Sequence, residues 1–247
     1  MSAPLFFADV GALAAAATGG PLVLAGSEGR HAATVRRIGV GERVDVADGS
    51  GSLARCVVVT VGRDELGLEV LELSSTPPPD PWLVLVQALA KGGRDDLAVE
   101  TATELGVDEI VPWQALRSVV QWRGERGEKA RRGWESTARA AAKQSRRPRV
   151  PVVSALVDGA GVRARIAGAA LTVVLHEEAP EPLASVALPA SGDVLLVVGP
   201  EGGISPDEVA AFAQAGGSSY RLGRHVLRSS TAGPAAIAVL SAAARWR

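Results

Sequence analysis

Cysteine is nearly absent from this chain: Cys56 stands alone among 247 residues. No internal disulfide is possible, and a reducing, cytoplasmic compartment is expected. Cys56 lies in an alternating apolar stretch and reads as core. The three histidines, His31, His176 and His225, are far apart, with no metal-like spacing to Cys56, so no metal site is expected. No apolar run reaches 18 residues, which excludes a membrane-spanning helix. Asp9 and the lack of a basic flank before the alanine-rich run at 12–17 argue against a secretory signal. There is no Gly-x-Ser-x-Gly nucleophile elbow and no Cys-His pairing, so covalent catalysis has little support. No Lys-Ser/Thr pair follows a glycine loop, and no spaced-glycine dinucleotide fingerprint occurs. A transferase using a bound cofactor fits these absences better than covalent catalysis does.

Lysine is also scarce, three against 23 arginines, a bias of genome composition as much as of function. The formal net charge of −1 hides a local imbalance. Residues 117–149 carry 11 basic and 3 acidic side chains, while residues 1–80 carry 6 and 10. One basic segment in an otherwise acidic chain fits either a polyanion contact or a solvated arginine-rich helix face.

Residues 1–73 read as a small β-rich domain. Strands are predicted at Pro21–Leu24, within Gly41–Gly49, at Leu53–Val61 and at Leu66–Leu73, a spacing that suggests a small barrel. A short helix is predicted over Glu28–Ile38 with Ser27 as N-cap. Its Arg30, His31, Arg36 and Arg37 are candidate phosphate contacts, although a lone histidine is more often structural. Prolines at 77–79 and 81 mark a semi-rigid spacer at 74–81. From residue 82 to 247 strand and helix alternate: strands at Trp82–Ala88, Glu109–Trp113, Val150–Val153 and Leu171–His176, and helices at Asp95–Leu105, Lys129–Ser145 and Pro234–Trp246. That pattern is α/β with a mostly parallel sheet.

The stretch from Val194 to Ala236 organises the rest. A buried strand, Val194–Val198, runs into Gly199-Pro200-Glu201-Gly202-Gly203 and then a helix start at Ile204–Glu208. Strand C-termini of this kind are where open α/β sheets bind ligands. Backbone amides of the glycine turn suit a nucleoside or a carboxylate. Glu201 is either an acceptor for a ribose hydroxyl or a cap for the following helix.

These residues carry a resemblance. Gly199-Pro200-Glu201-Gly202-Gly203, followed by Leu222-Gly223-Arg224-His225-Val226-Leu227-Arg228 and Thr231-Ala232, resembles the RsmE family of ribosomal RNA small subunit methyltransferases, of the SPOUT superfamily. Gln87–Lys91, Thr103-Glu104-Leu105-Gly106-Val107 and Gln144-Ser145-Arg146-Arg147 are similar to further family motifs, in the same order. The resemblance implies a PUA-like RNA-binding barrel, a C-terminal domain with a trefoil knot, and a homodimer. It implies S-adenosylmethionine held by Leu175, His176, Gly199, Pro200, Glu201, Gly202, Leu222, Gly223, Val226, Leu227 and Thr231. It further implies methylation of N3 of one uridine in 16S rRNA of the assembled small ribosomal subunit. Arg228 is then the candidate catalytic cation, with a salt bridge to a dimer partner as the alternative role. Arg117, Arg139, Gln144, Arg146 and Arg147 become RNA contacts. Three positions depart from the family pattern: Ser230 replaces its usual glutamate, Lys143 its usual acidic residue before Gln-Ser, and Thr101 a lysine often seen shortly before Glu-Leu-Gly. A sibling enzyme acting on tRNA and a catalytically silent assembly factor are the alternatives.

Overall fold

A computed structural model gives the fold of residues 3–246. The chain forms two compact units. The first takes the residues up to Pro78 together with Ala142–Val150; the second takes Pro79–Ala141 and Pro151 onward. Residues 142–150, read from sequence as part of the second domain, thus belong to the first unit.

In the first unit, β1 (Leu5–Phe7), β2 (Pro21–Leu24), β3 (Arg43–Ala47), β4 (Ser52–Val61) and β5 (Leu66–Ser75) form one sheet in the order β1-β3-β4-β5-β2. β1 runs parallel to β3 and the other pairs are antiparallel. Strand alternation sends Val44, Val46, Cys56, Val58, Leu66, Leu68 and Val70 into one core with Phe6 and Leu24. The predicted helix differs in its start and its character. Helix α1 spans Gly26–Arg30 with Ala25 as N-cap and no side-chain cap, so Ser27 lies inside it. It continues as a π-helical turn over His31–Val35. β1 was not expected, because three apolar residues carry no readable period.

In the second unit, β6 (Trp82–Ala88), α2 (Arg94–Glu104), β7 (Glu109–Trp113), α3 (Gly124–Gln144), β8 (Val152–Val153), α4 (Gly159–Gly168), β9 (Leu171–Leu175), β10 (Asp193–Val198), α5 (Pro206–Gln214), β11 (Ser218–Tyr220) and α6 (Ser229–Ala244) follow in turn. The last three residues of α3 fall in the first unit. The sheet order is β11-β9-β10-β6-β7-β8, and all of its pairs are parallel. Both faces are covered, so β6 is apolar but for the buried Gln87, and β10 is apolar after Asp193. Leu83, Leu85, Val194 and Leu196 pack with Val99 and Ala102 of α2 and Ile237 and Leu240 of α6. Val84, Val86, Leu195 and Val197 pack with Val162 and Ile166 of α4 and Phe212 of α5. α6 begins at Ser229, five residues before the predicted start. Pro234 lies inside it, early enough that only the bond to Ser230 is lost.

Candidate active site

The carboxyl ends of β9 and β10 lie side by side, since Val174 is in register with Val197. The chain leaving β10 turns at once, with the Gly203 amide donating to the Pro200 carbonyl at 2.9 Å. A Cβ on Gly199 would meet Cγ1 of Ile204 at 2.7 Å and its backbone nitrogen at 3.1 Å, so only glycine fits the turn. Helix α5 is then started by a capping box: Ser205 Oγ accepts from the Glu208 amide, and Glu208 Oε2 accepts from the Ser205 amide at 3.0 Å. Glu208 is buried, and its Oε1 accepts from the Leu116 amide at 2.8 Å. Arg117 Nη1 donates to the Gly202 carbonyl at 3.0 Å. The 115–118 segment thereby braces the glycine turn from the β7 side.

Glu201 does not cap the following helix. Its Oε1 accepts from the Lys91 amide and from Arg94 Nη1, both at 3.1 Å. Desolvation pushes the Glu201 carboxyl up, but hydrogen bonds from its own and the Lys91 amide, with the Arg94 charge, outweigh it and hold the group below the ordinary carboxylate value. After β9, the His176 amide donates to the Tyr220 carbonyl at 3.0 Å, and His176 Nδ1 accepts from the Glu178 amide at 3.2 Å. Arg221 donates to the Ala179 carbonyl at 2.9 Å and to the Pro180 carbonyl, tying the 177–183 segment to the end of β11.

These loops enclose a cavity of about 320 Å³. Of the residues predicted from sequence, Leu175, His176, Gly199, Pro200, Glu201, Val226, Leu227 and Arg228 line it. Leu222 and Gly223 line a smaller adjoining hollow of about 70 Å³ that shares Leu175, His176, Val226 and Leu227. Gly202 and Thr231 line neither. Arg94, Glu177, Val198, Gly203, Ile204, Ser229 and Ala232 complete the wall; Gly203 and Ala232 belong to the family motifs but none of the seven was among the expected cofactor contacts. Arg94 carries no local signal, because the contact that brings it here spans 107 residues. Arg228 is the N-cap of α6, exposed, with no ion-pair partner among the described residues. Ser230 is buried in the first turn of α6. Among the described residues no group of three or more His, Cys, Asp or Glu side chains gathers.

The candidate RNA contacts fall in both units. Arg30, His31, Arg36 and Arg37 lie on or just after α1 and its π turn, and Gln144, Arg146 and Arg147 lie in the 142–150 segment of the same unit. Arg30, Arg36, Arg37, Gln144 and Arg146 are exposed. The His31 ring lies 6.2 Å from that of Phe6. Lys143 reaches Glu28 Oε2 at 2.6 Å and lies 4.7 Å from the Phe6 ring centre, so its charge is satisfied inside the first unit. Arg117 and Arg139 belong to the second unit and are exposed.

Comparison with known proteins adds the rest. The RNA methyltransferase domain family matches residues 77–241, and the RNA methyltransferase PUA domain family matches residues 24–71. The chain is 46% identical over 251 residues to ribosomal RNA small subunit methyltransferase E of Mycobacterium tuberculosis, covering 100% of this chain and 94% of that one. It is 30% identical to the Bacillus subtilis protein of the same name, over 88% of each. A structure from Legionella pneumophila in complex with the bound cofactor SAM is 26% identical, with a TM-score of 0.82 and 98% coverage of each chain. The fold is also that of ribosomal RNA small subunit methyltransferase E from Neisseria gonorrhoeae, solved bound to S-adenosyl methionine, with a TM-score of 0.84, 24% identity and 98% coverage of each. With two domain families matched in order and relatives of this identity along nearly its whole length, the chain belongs to the RsmE family of RNA methyltransferases.

Proposed function

We propose that this protein transfers a methyl group from S-adenosylmethionine to N3 of one uridine in 16S rRNA, within the assembled small ribosomal subunit. The observation that carries this reading is the 320 Å³ cavity at the carboxyl ends of β9 and β10, in a chain of the RsmE family. The residues present suit the cofactor. Leu175, Val198, Ile204, Val226 and Leu227 give apolar walls for a nucleoside, and Gly199 keeps the backbone open where a Cβ would collide with Ile204. Glu201, held ionised, is the acceptor for a ribose hydroxyl. When bound, S-adenosylmethionine supplies a methyl group already activated on a sulfonium.

The chain's own residues do the remaining work. Uridine N3 carries a proton at neutral pH and faces the pairing edge, so the target base must be unpaired or extruded. As that proton leaves, negative charge develops on the base. The free guanidinium of Arg228 at the cavity wall stabilises it. Holding acceptor and cofactor in line supplies much of the remaining acceleration. In the same reading the second unit is a trefoil-knotted domain, the first a PUA-like barrel, and the enzyme a cytoplasmic homodimer. The proposed division is an RNA-binding domain at 1–73, a spacer at 74–81 and a catalytic domain at 82–247, with 142–150 folded into the first unit. The β1-to-β5 sheet and its PUA family match support the RNA-binding role.

The test is labelled methyl transfer to small subunits that lack the modification, with free rRNA and tRNA alongside, and the product located by mass. One N3-methyluridine on subunits alone is expected, abolished by Arg228→Ala. Transfer to tRNA, or at another atom, overturns the assignment.

A further inference from the structure

A second cavity in the second unit, about 580 Å³, shares no residue with the cofactor cavity. It is lined by Gln114, Gln121, Trp122, Arg123, Leu156, Val157, Asp158 and Gly161, and a neighbouring hollow of about 250 Å³ shares Trp122 and Leu156 with it. We propose that this groove receives an unpaired nucleobase of the RNA substrate, stacked on Trp122, with the adjoining phosphates held by Arg123 and the exposed cations of α3. The inference rests on the methyltransferase reading for its choice of partner.

The groove is preorganised. Trp122 is half-buried, its ring set edge-on to that of Trp134 at 5.0 Å. The Gln114 side chain clamps its backbone: Gln114 Nε2 donates to the Val120 carbonyl at 3.0 Å, and Gln114 Oε1 accepts from the Trp122 amide at 3.2 Å. The first turn of α3 sits on Trp122 so closely that a Cβ on Gly127 would meet its carbonyl carbon and Cβ at 3.0 Å. Gln121 and Arg123 are exposed at the rim.

Charge selects the occupant. Arg123, Arg126, Lys129 and Arg132 are exposed and have no ion-pair partner among the described residues. Of the carboxylates near the groove, Asp158 caps α4 through the Gly161 amide and keeps its charge at the wall, while Glu128 is paired with Arg131 at 3.0 Å. Asp158 and the exposed Glu125 oppose these four cations, so the balance at the rim stays positive. An aromatic face flanked by free cations is the combination by which proteins hold single-stranded RNA. The 114–122 segment then joins two sites, because Arg117 within it grips Gly202 beside the cofactor cavity.

The test measures binding of small subunits lacking the modification to full-length Trp122→Leu, Trp122→Phe and Arg123→Ala proteins at several salt concentrations. Wild-type methylation is measured in parallel to test the underlying function separately. Trp122→Leu is expected to weaken binding about ten-fold at unchanged salt slope, and Trp122→Phe to stay within about two-fold. Arg123→Ala is expected to flatten the logarithmic salt slope by about one unit. S-adenosylmethionine affinity should not move in any of them. Wild-type binding by Trp122→Leu overturns the proposal; so does a Trp122→Phe protein as weak as Trp122→Leu. A fall in the dimer's association constant with RNA affinity intact also overturns it, and assigns the groove to a second copy of the chain. Should Trp122→Leu fail to fold, the Phe and Arg123 variants decide the matter alone: an unchanged salt slope in Arg123→Ala rejects it.

Discussion

Glu201 is the residue on which the cofactor turn hangs. Its carboxyl lies below the ordinary carboxylate value, so its anchorage to Lys91 and Arg94 is fully present above the unfolded-state pKa and is lost only as pH falls through the lowered folded one. Calorimetric titration with S-adenosylmethionine across acid pH is expected to show constant affinity down into the usual carboxylate range, then a loss below it. Glu201→Gln should weaken the cofactor by about 2 kcal/mol at neutral pH, the scale of a hydrogen bond to a charged group. Gly199→Ala acts by volume instead. Its Cβ collides with Ile204, and a cost of about 1–3 kcal/mol is expected in chemical denaturation, with the cofactor affinity falling too. Cys56 is the opposite case, a group with nothing to do. Burial, with the nearby Asp45 charge, pushes its thiol up to about 11. Iodoacetamide at neutral pH should leave it unmodified until the protein unfolds, which mass spectrometry reads directly.

Among the elements, α5 and α6 show how local sequence fixes a site. Ser205→Ala removes one cap and should cost about 1 kcal/mol. Glu208→Ala should cost more, about 2–3 kcal/mol, since it also leaves the Leu116 amide unsatisfied in a part-buried setting. At the far end of α6, Arg245 reaches the buried Asp108 at 2.7 Å; Asp108 also accepts from the Leu83 amide at 2.9 Å, so Arg245→Ala should cost about 1.5–3 kcal/mol, the scale of one hydrogen bond to a charged group, and thermal unfolding of the single variants compares all three. Ser205, Glu208 and the strand β10 were legible because each follows from neighbours within a few residues. The start of α6 was not. Pro234 invited a helix start by its own preference for a first turn, whereas Leu85 and Val198, distant in sequence, decide where that turn packs. Arg94, β1 and the attachment of 142–150 to the first unit were hidden for the same reason: each depends on a partner brought close only by the fold. The motif residues of the cavity were readable through family resemblance, and its ion pair was not.

For the whole molecule, a net charge of −1 says little about its partner, because 117–149 alone holds 11 of the 26 basic side chains against 3 acidic ones. Affinity for the small subunit should fall steeply and log-linearly with salt despite that near-neutral total, and the combined Arg36→Ala, Arg37→Ala, Arg146→Ala protein should lose about two to three units of slope. The sheet of the second unit holds a consequence for synthesis on the ribosome. Its central pair sets β6 against β10, with Leu83 opposite Val194, about 110 residues later. At ~5–20 residues per second, β6 leaves the ribosome roughly 5–20 s before its principal neighbour exists. During that interval a strand apolar but for Gln87 has only β7 to pair with. A methyltransferase of ribosomal RNA is, on this topology, itself a late-closing product of translation.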